Sequence, residues 1–269
     1  MFELINKNGV FLLKSTVLKS NHAFSTRIGG VSDLEHTKGL NLAFGRGDDD
    51  SVVFENLSVF AKAVGFDDKK VISVPQIHSN IVQNVNGADA GAGYYKKHEF
   101  SCDGYVTTED NLPLGVKTAD CVPILMEARD DIGNIIAVSA VHAGWRGTSD
   151  RIAEEGVLRL CLLGAKVENI YVAIGPCIDE CCYEVGNDFT EQIKTKLGQN
   201  YKNKFIVEKE NGSLYANLKG MNLDILLSVG VPKNNVDIAP HCTCCDPELF
   251  YSHRRQKGIR GAHLHVIIK

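Results

Sequence analysis

The 269-residue chain has no apolar run long enough to cross a bilayer; its longest uncharged apolar stretches, such as Ile135–Val141, fall far short of a spanning helix. It has no surplus of positive charge either. Its 29 Lys and Arg stand against 33 Asp and Glu, giving a net charge of −4 and a pI of about 6.1. A weakly acidic surface does not attract phosphate backbones, so no nucleic-acid partner is expected. Internal repeats, low-complexity tracts and Pro/Ser-rich linkers are lacking. At 44% hydrophobic and 23% charged the chain has enough apolar residues for a sizeable core, which excludes wholesale disorder. Met1-Phe2-Glu3-Leu4 carries an early acid and opens no apolar segment, so it does not read as a secretory signal. A cytoplasmic protein with no membrane partner is expected. In that setting nine cysteines, an odd number, do not read as a disulfide framework. Reduced thiols are expected, several buried as small hydrophobes, and each needs weighing as ligand or nucleophile.

Hydrophobic periodicity gives four helices. Val53, Leu57, Phe60, Ala61 and Val64 recur at helical spacing behind the acidic cluster Asp48-Asp49-Asp50, and Gly65 stops them. A second helix starts at Ser149 or Asp150 and runs to Leu163. A third carries Phe189, Ile193 and Leu197 and ends at Gly198, and a fourth spans Leu218 to Val229. Ile135–Val141 reads as a strand covered on both faces, and Leu114–Thr118, Pro123–Met126, Tyr171–Ile174 and His265–Ile268 also read as strands. Strands outnumber helices and do not alternate strictly with them, so a mixed-sheet α/β domain is expected rather than a doubly wound parallel sheet.

Catalytic groups concentrate where strands end and loops begin. Three stretches qualify: Val74–Ser79, Lys117–Pro123 and Val141–Thr148. In the third, a buried strand delivers His142 to a Gly-Trp-Arg-Gly turn, followed by a helix expected from about Ser149. Gly144 and Gly147 permit a tight turn, the helix N-terminus favours an anion, and Arg146 offers a planar fork for phosphate or carboxylate. On local sequence alone a satisfied core histidine beside a structural turn is an equal alternative. His78 and Cys121 are each weak signals alone. Together with His142 they supply imidazole, thiolate and imidazole, a set that suits zinc or copper and leaves one tetrahedral position open.

Asp103 and Asp120 could orient a histidine or move a proton, and Gln76 could hold water or a base edge. Arg27, in the Gly-rich stretch Phe24–Ser32, could meet an anionic group. Cys177 follows a strand and a Gly-Pro turn and is the remaining thiol best placed to line a pocket. Either of the clusters Cys177/Cys181/Cys182 and His241/Cys242/Cys244/Cys245 could be part of a structural zinc site, but neither has the paired spacing of a ribbon or finger, and buried or surface thiols are the expectation there.

With these residues in place, the chain resembles the YfiH family, also called the laccase-domain or multicopper polyphenol oxidase-like family. The matching stretches include Phe24–Ser32, Gln76–Ser79, Cys102–Thr107, Thr118–Pro123, His142–Thr148, Ile174–Ile178, Cys242-Thr243 and Phe250–Arg255. They span nearly the whole chain in order, and Ala-Asp-Cys followed by His-Ala-Gly-Trp-Arg-Gly is a rare combination. The resemblance implies a single domain over residues 1–269, an α/β/β/α sandwich with mixed sheets related to toxin deamidases that use Cys and His. It implies that His78, Cys121 and His142 bind one zinc. It also implies phosphorolysis of adenosine, inosine and methylthioadenosine, with adenosine deamination, by a monomer or homodimer that takes purine nucleoside and phosphate. Laccase activity with copper and correction of peptidoglycan precursors have been assigned within the family. The chain departs from the family pattern after the Arg254-Arg255 pair, where Gln256-Lys257 and Ile259-Arg260-Gly261 stand, and its C-terminal cluster is richer in thiols.

On this reading the catalytic groups are Cys121, His142, Asp120 and Arg146, and the substrate contacts are Arg27, Gln76, Asp103 and Cys177. Deamination would need an acid, for which Asp120 or a nearby carboxylate is a candidate, and phosphorolysis a cationic anion site, which Arg146, Arg27 and the helix N-terminus could supply. The alternatives are a Cys121 nucleophile with His142 as base acting on an amide, a copper polyphenol oxidase, and a metal-storage protein. The oxidase reading is the weaker one, because a multicopper site needs a separate trinuclear cluster and many paired histidines.

Overall fold

The computed structural model describes residues 1–269. In chain order the strands and helices are β1 (Phe2–Lys7), β2 (Val10–Ser15), β3 (Asn21–Ser25), α1 (Asp50–Val64), β4 (Val82–Asn84), β5 (Gly104–Thr107), β6 (Leu114–Thr118), β7 (Val122–Arg129), β8 (Ile135–Ala143), α2 (Trp145–Ser149), α3 (Ile152–Leu162) and β9 (Ile170–Ile174). There follow β10 (Glu184–Val185), α4 (Asn187–Leu197), α5 (Gln199–Phe205), β11 (Ile206–Glu208), β12 (Leu214–Ala216), α6 (Leu218–Ser228), β13 (Val236–Ile238) and β14 (His263–Ile268). Two large sheets form, a five-stranded one in the order β1-β2-β3-β14-β6 and a six-stranded one in the order β13-β9-β7-β8-β5-β4. The first is antiparallel throughout. The second is mixed, with β13–β9 and β4–β5 parallel.

The period-two alternation of side chains along the strands sorts the apolar residues into three layers. Leu13, Phe24, Leu114, Val116, Leu125, Ala140, Ala173 and Ile267 face one another between the sheets. Their neighbours Leu12, Leu264, Val266 and Ile268 point to the outer face of the five-stranded sheet, where α1 lays Val53, Leu57, Phe60 and Val64 on them. Ile124, Met126, Val141, Val172 and Ile174 point the opposite way and meet Ile152, Val157 and Leu160 of α3 and Met221 and Ile225 of α6. The layers are therefore helix, sheet, sheet, helix. Removing the fully buried Phe60 side chain would cost about 3–5 kcal/mol, because it anchors a whole layer.

The four expected helices are present, and β6 has the bounds read from sequence. The second helix differs. It begins earlier, at Trp145, and breaks at Arg151, whose φ of 60° is left-handed, before α3 resumes. The Gly-Trp-Arg-Gly segment is thus itself helical, and no long helix aims its N-terminus at His142 from Ser149. The N-terminal hairpin, the helix α5 and the small sheet β10-β12-β11 went unread in the sequence. No helix is long and apolar enough to cross a membrane.

Candidate active site

The chain passes from one large sheet to the other between β6 and β7, and Cys121 lies on that crossing. His142 lies near the end of β8, paired with Pro123 of β7, so the strand ladder sets its position relative to Cys121. His78 comes from the loop before β4. Its ligand atom and those of Cys121 and His142 all lie within 4.8 Å of one another. Cys121 Sγ is 4.0 Å from His78 Nε2, and the two imidazoles stand edge to face at 85° with centroids 5.0 Å apart.

One buried carboxylate organises two of these three groups. Asp103 accepts a hydrogen bond from His142 Nδ1 at 2.8 Å, which leaves Nε2 to face the site. It also accepts from the backbone N–H groups of Ile77, His78 and Ser79 at 3.2, 3.0 and 2.6 Å and from the Ser79 hydroxyl at 2.7 Å. Those bonds hold the His78 loop, in which His78 itself takes a left-handed φ of 60°. Burial alone would raise the Asp103 pKa; the His142 and Ser79 bonds outweigh it and hold the carboxyl below its ordinary range.

The donor set fits a metal. A carboxylate–histidine pair orienting an imidazole is the usual support of a metal ligand. Gly144 adds a steric indication. A Cβ there would lie 2.7 Å from the His78 ring and 3.5 Å from both Cys121 Sγ and His142 Cε1, so only glycine keeps the space between the three groups free. Electrostatics prepare the same groups. Burial would push the Cys121 thiol up, but the His142 charge, with hydrogen bonds from His142 and His78, brings it down to about 6. Burial opposes charging His142, yet Cys121 and Asp103 raise it to about 9. The arrangement can hold a metal ion through three protein ligands or, in the metal-free protein, present a thiolate–imidazolium pair.

These groups open onto a cavity of about 880 Å³. Arg46, Lys117, Arg146, Arg254 and Arg260 line it, against the single carboxylate of Asp120. Phe44, Trp145 and Tyr183 supply aromatic surface. The buried Nε groups of Arg46 and Arg260 have no hydrogen-bond partner within the chain. Lys117 donates to the Ser73 carbonyl and hydroxyl, each at 2.9 Å, and burial beside Arg46 lowers its ammonium to about 7.

The remaining expected residues are distributed unevenly. Arg146 lines the cavity, exposed, with its guanidinium 4.2 Å from the Trp145 ring centroid. Gln76 also lines it, but its amide is committed to the Lys117 backbone, donating at 2.8 Å and accepting at 2.7 Å. Asp120 has a φ of 103°, and its carboxylate turns to the C-terminal segment. It accepts from Thr243 Oγ1 at 2.6 Å, Ser252 Oγ at 3.0 Å and the Arg254 N–H at 2.7 Å. Asp103 lies behind the histidines, outside the cavity lining. Arg27 is elsewhere; it caps the Lys38 and Pro247 carbonyls and stacks over Tyr251. Cys177 is fully buried, its backbone paired with that of Cys242, and it does not line the cavity. Arg254 reaches the cavity, whereas Arg255 binds the carbonyls of Thr243, Cys244 and Phe250. Arg46, His98, Lys117, His253 and Arg260 were missed in the sequence. Two of them carried a local signal there: Lys117, four residues before Cys121 in the same motif, and His253, within the matching stretch Phe250–Arg255.

Residues 21–269 match the family model described as multi-copper polyphenol oxidoreductase laccase. The chain is 35% identical over 260 residues to a purine nucleoside phosphorylase of Deinococcus radiodurans, covering 96% of this chain and 93% of that one. It is 34% identical over 235 residues to adenosine deaminase RL5 of an unknown prokaryotic organism, covering 87% and 88% respectively. Among solved structures, YlmD from Geobacillus stearothermophilus superposes with a TM-score of 0.88 at 30% identity, over 100% of this chain and 98% of its own. The hypothetical protein YfiH of Bacillus licheniformis gives 0.89 at 27% identity, over 99% and 98%.

Proposed function

The chain belongs to the multi-copper polyphenol oxidoreductase laccase family, and on that premise we propose that it is a zinc-dependent purine nucleoside enzyme. In this reading it phosphorolyses adenosine, inosine and methylthioadenosine and also deaminates adenosine, with residues 1–269 acting as one catalytic unit. The observation that carries the proposal is the cationic cavity beside the His78/Cys121/His142 group, in a chain whose net charge is −4. Its volume lies within the range of small-molecule sites, about 300–1,000 Å³, so it can take a nucleoside together with an anion.

A bound zinc would supply Lewis acidity at the three-ligand centre. The chain's own groups do the rest. Arg46 and Arg260 have unpartnered N–H groups to offer a phosphate, and Arg146 and Arg254 add forks that match its oxygens. Trp145, Tyr183 and Phe44 provide faces for a purine. In phosphorolysis a phosphate oxygen bonds to the ribose anomeric carbon, the bond from that carbon to the purine nitrogen breaks, and the base leaves with the electron pair and takes up a proton. The guanidiniums hold the attacking anion against the sugar, where proximity lowers the barrier. Asp103 keeps His142 Nε2 and His78 aimed at the centre. Asp120 holds the 243–254 segment, and with it Arg254, rather than serving as the free acid expected from sequence.

The test is turnover of adenosine by metal-loaded protein in buffers with and without phosphate, resolved by chromatography. Adenine release that requires phosphate, inosine formation that does not, and loss of both in His142→Ala would support the reading. Zinc-loaded protein that converts neither adenosine nor inosine would overturn it. One observation favours a second reading. His142 bonds Asp103 through Nδ1, and its ligand nitrogen lies within 4.8 Å of the Cys121 sulfur, the order nucleophile, base and orienting carboxylate of a cysteine-dependent amide hydrolase. Activity on peptide-like amides by metal-free protein, abolished by alkylating Cys121, would favour it.

A further inference from the structure

A second cluster of soft ligands lies outside the cavity. Cys181 and Cys182 sit in the turn before β10, and Cys242 and Cys245 in the loop before β14. The four sulfurs lie within 4.8 Å of one another. Cys245 Sγ is 3.4 Å from Cys181 Sγ and 3.3 Å from Cys182 Sγ. A disulfide requires about 2.05 Å, well below these separations. Four thiolates around one zinc, each about 2.3 Å from it, lie about 3.8 Å apart, a value within the observed spread. No histidine or carboxylate belongs to the group.

The spacing, overlooked when the cysteines are read as one cluster with Cys244, is specific: Cys242-Thr243-Cys244-Cys245 contains a C-x2-C pair. The backbone is arranged for a thiolate there. The Asp179 N–H points at Cys242 Sγ at 3.4 Å, and the Asp246 N–H turns back to the Cys242 carbonyl at 3.3 Å. The buried Lys219 places its ammonium on Asp179 at 2.8 Å and on the Ala239 and His241 carbonyls at 2.9 and 3.3 Å, so a fixed positive charge borders the loop that carries Cys242. All nine cysteines are free thiols, and these four sulfurs all lie within 4.8 Å of one another, with the Cys244 thiol beside Cys182.

We propose that Cys181, Cys182, Cys242 and Cys245 form a second metal centre, a closed four-thiolate site for zinc. The four thiols surrender their protons on binding, and the filled coordination sphere makes the site structural. It fastens together two segments that reach the cavity by other residues. Tyr183 and Ile178 come from the first segment, and His253 and Arg254 from the second. Arg254 already spans them, donating to the Cys182 and Glu184 carbonyls at 3.3 and 2.9 Å.

The test is zinc stoichiometry, with cobalt(II) as a spectroscopic substitute, in wild type and two double variants. His78→Ala/His142→Ala should keep one tightly bound zinc, and its cobalt form should keep strong sulfur-to-metal charge-transfer absorption. Cys181→Ser/Cys245→Ser should bind one zinc fewer than wild type and lose most of that absorption. Alkylation mapped by mass spectrometry on wild-type protein decides the matter even if a variant fails to fold. Zinc should shield Cys181, Cys182, Cys242 and Cys245 and leave Cys161 labelled as before. Equal zinc in wild type and Cys181→Ser/Cys245→Ser, or labelling of the four thiols that zinc does not change, would overturn the proposal. Neither readout involves turnover, so the outcome is independent of the nucleoside reading.

Discussion

The two ligand clusters solve different problems with similar atoms. His78, Cys121 and His142 come from three widely separated places, and a carboxylate buried behind them holds two of the three in position. They leave room beside them, kept open by Gly144, and face a cavity. Cys181, Cys182, Cys242 and Cys245 come from two short segments, are spaced by backbone turns, and crowd four sulfurs around one point. On the two proposals, ligand count and surroundings, more than ligand type, separate a centre suited to chemistry from one suited to fastening.

The contrast can be broken at the first cluster with the greatest effect. Cys121→Ala should lower nucleoside turnover by about 10³-fold or more while leaving the melting temperature close to that of wild type, as steady-state assays and calorimetry would show. Gly144→Ala should approach the same loss, because its methyl would occupy the space between the ligands. Asp103→Asn comes next. An amide cannot accept all the bonds that Asp103 now receives, and metal affinity at the first site should fall about 10–100-fold in a chelator competition. Arg260→Ala should raise the KM for phosphate by about 10-fold with a smaller change in kcat, since a charged hydrogen bond contributes about 1.5–3 kcal/mol.

Thiol chemistry sharpens the comparison. In metal-free protein the Cys121 thiolate persists above about pH 6 and is lost as the pH falls through that value. Alkylation of Cys121 should therefore proceed readily at pH 7 and slow on acidification. Cys161, whose thiol is raised by burial and then by Glu168, should react appreciably only in alkali. The smallest expected effect on catalysis is that of Cys181→Ser/Cys245→Ser, with kcat within about 3-fold of wild type and a melting temperature lower by several degrees, about what 1–2 kcal/mol produces in a chain of this size.

Much of this was legible in the sequence, for reasons that differ by residue. His142 was readable because a continuous apolar strand delivers it to a glycine-rich turn. The helix-sheet-sheet-helix layering came from the family resemblance and not from alternation, because Leu12 and Leu13, which turn to different cores, lie in the hairpin that went unread. Asp120 was read as an orienting or proton-moving group, and what the sequence could not show is the positive φ that turns its carboxylate to Thr243 and Ser252. Arg46 and Arg260 gave no signal, since they meet only when the loop after β3 and the segment before β14 close over the same cavity. The early start of α2 was hidden by Gly147, which discourages helix in isolation and is buried here just after the Gly144 N-cap.

The unequal exposure of the three ligands bears on how the centre is loaded. His142 is buried in a strand and Cys121 lies on the crossing between sheets, while His78 is exposed on a loop secured by Asp103. On the proposed metal reading, an incoming ion would meet two inner groups and a third at the surface, and exchange would begin on the His78 side, where hydrogen bonds to Asp103 rather than packing hold the loop.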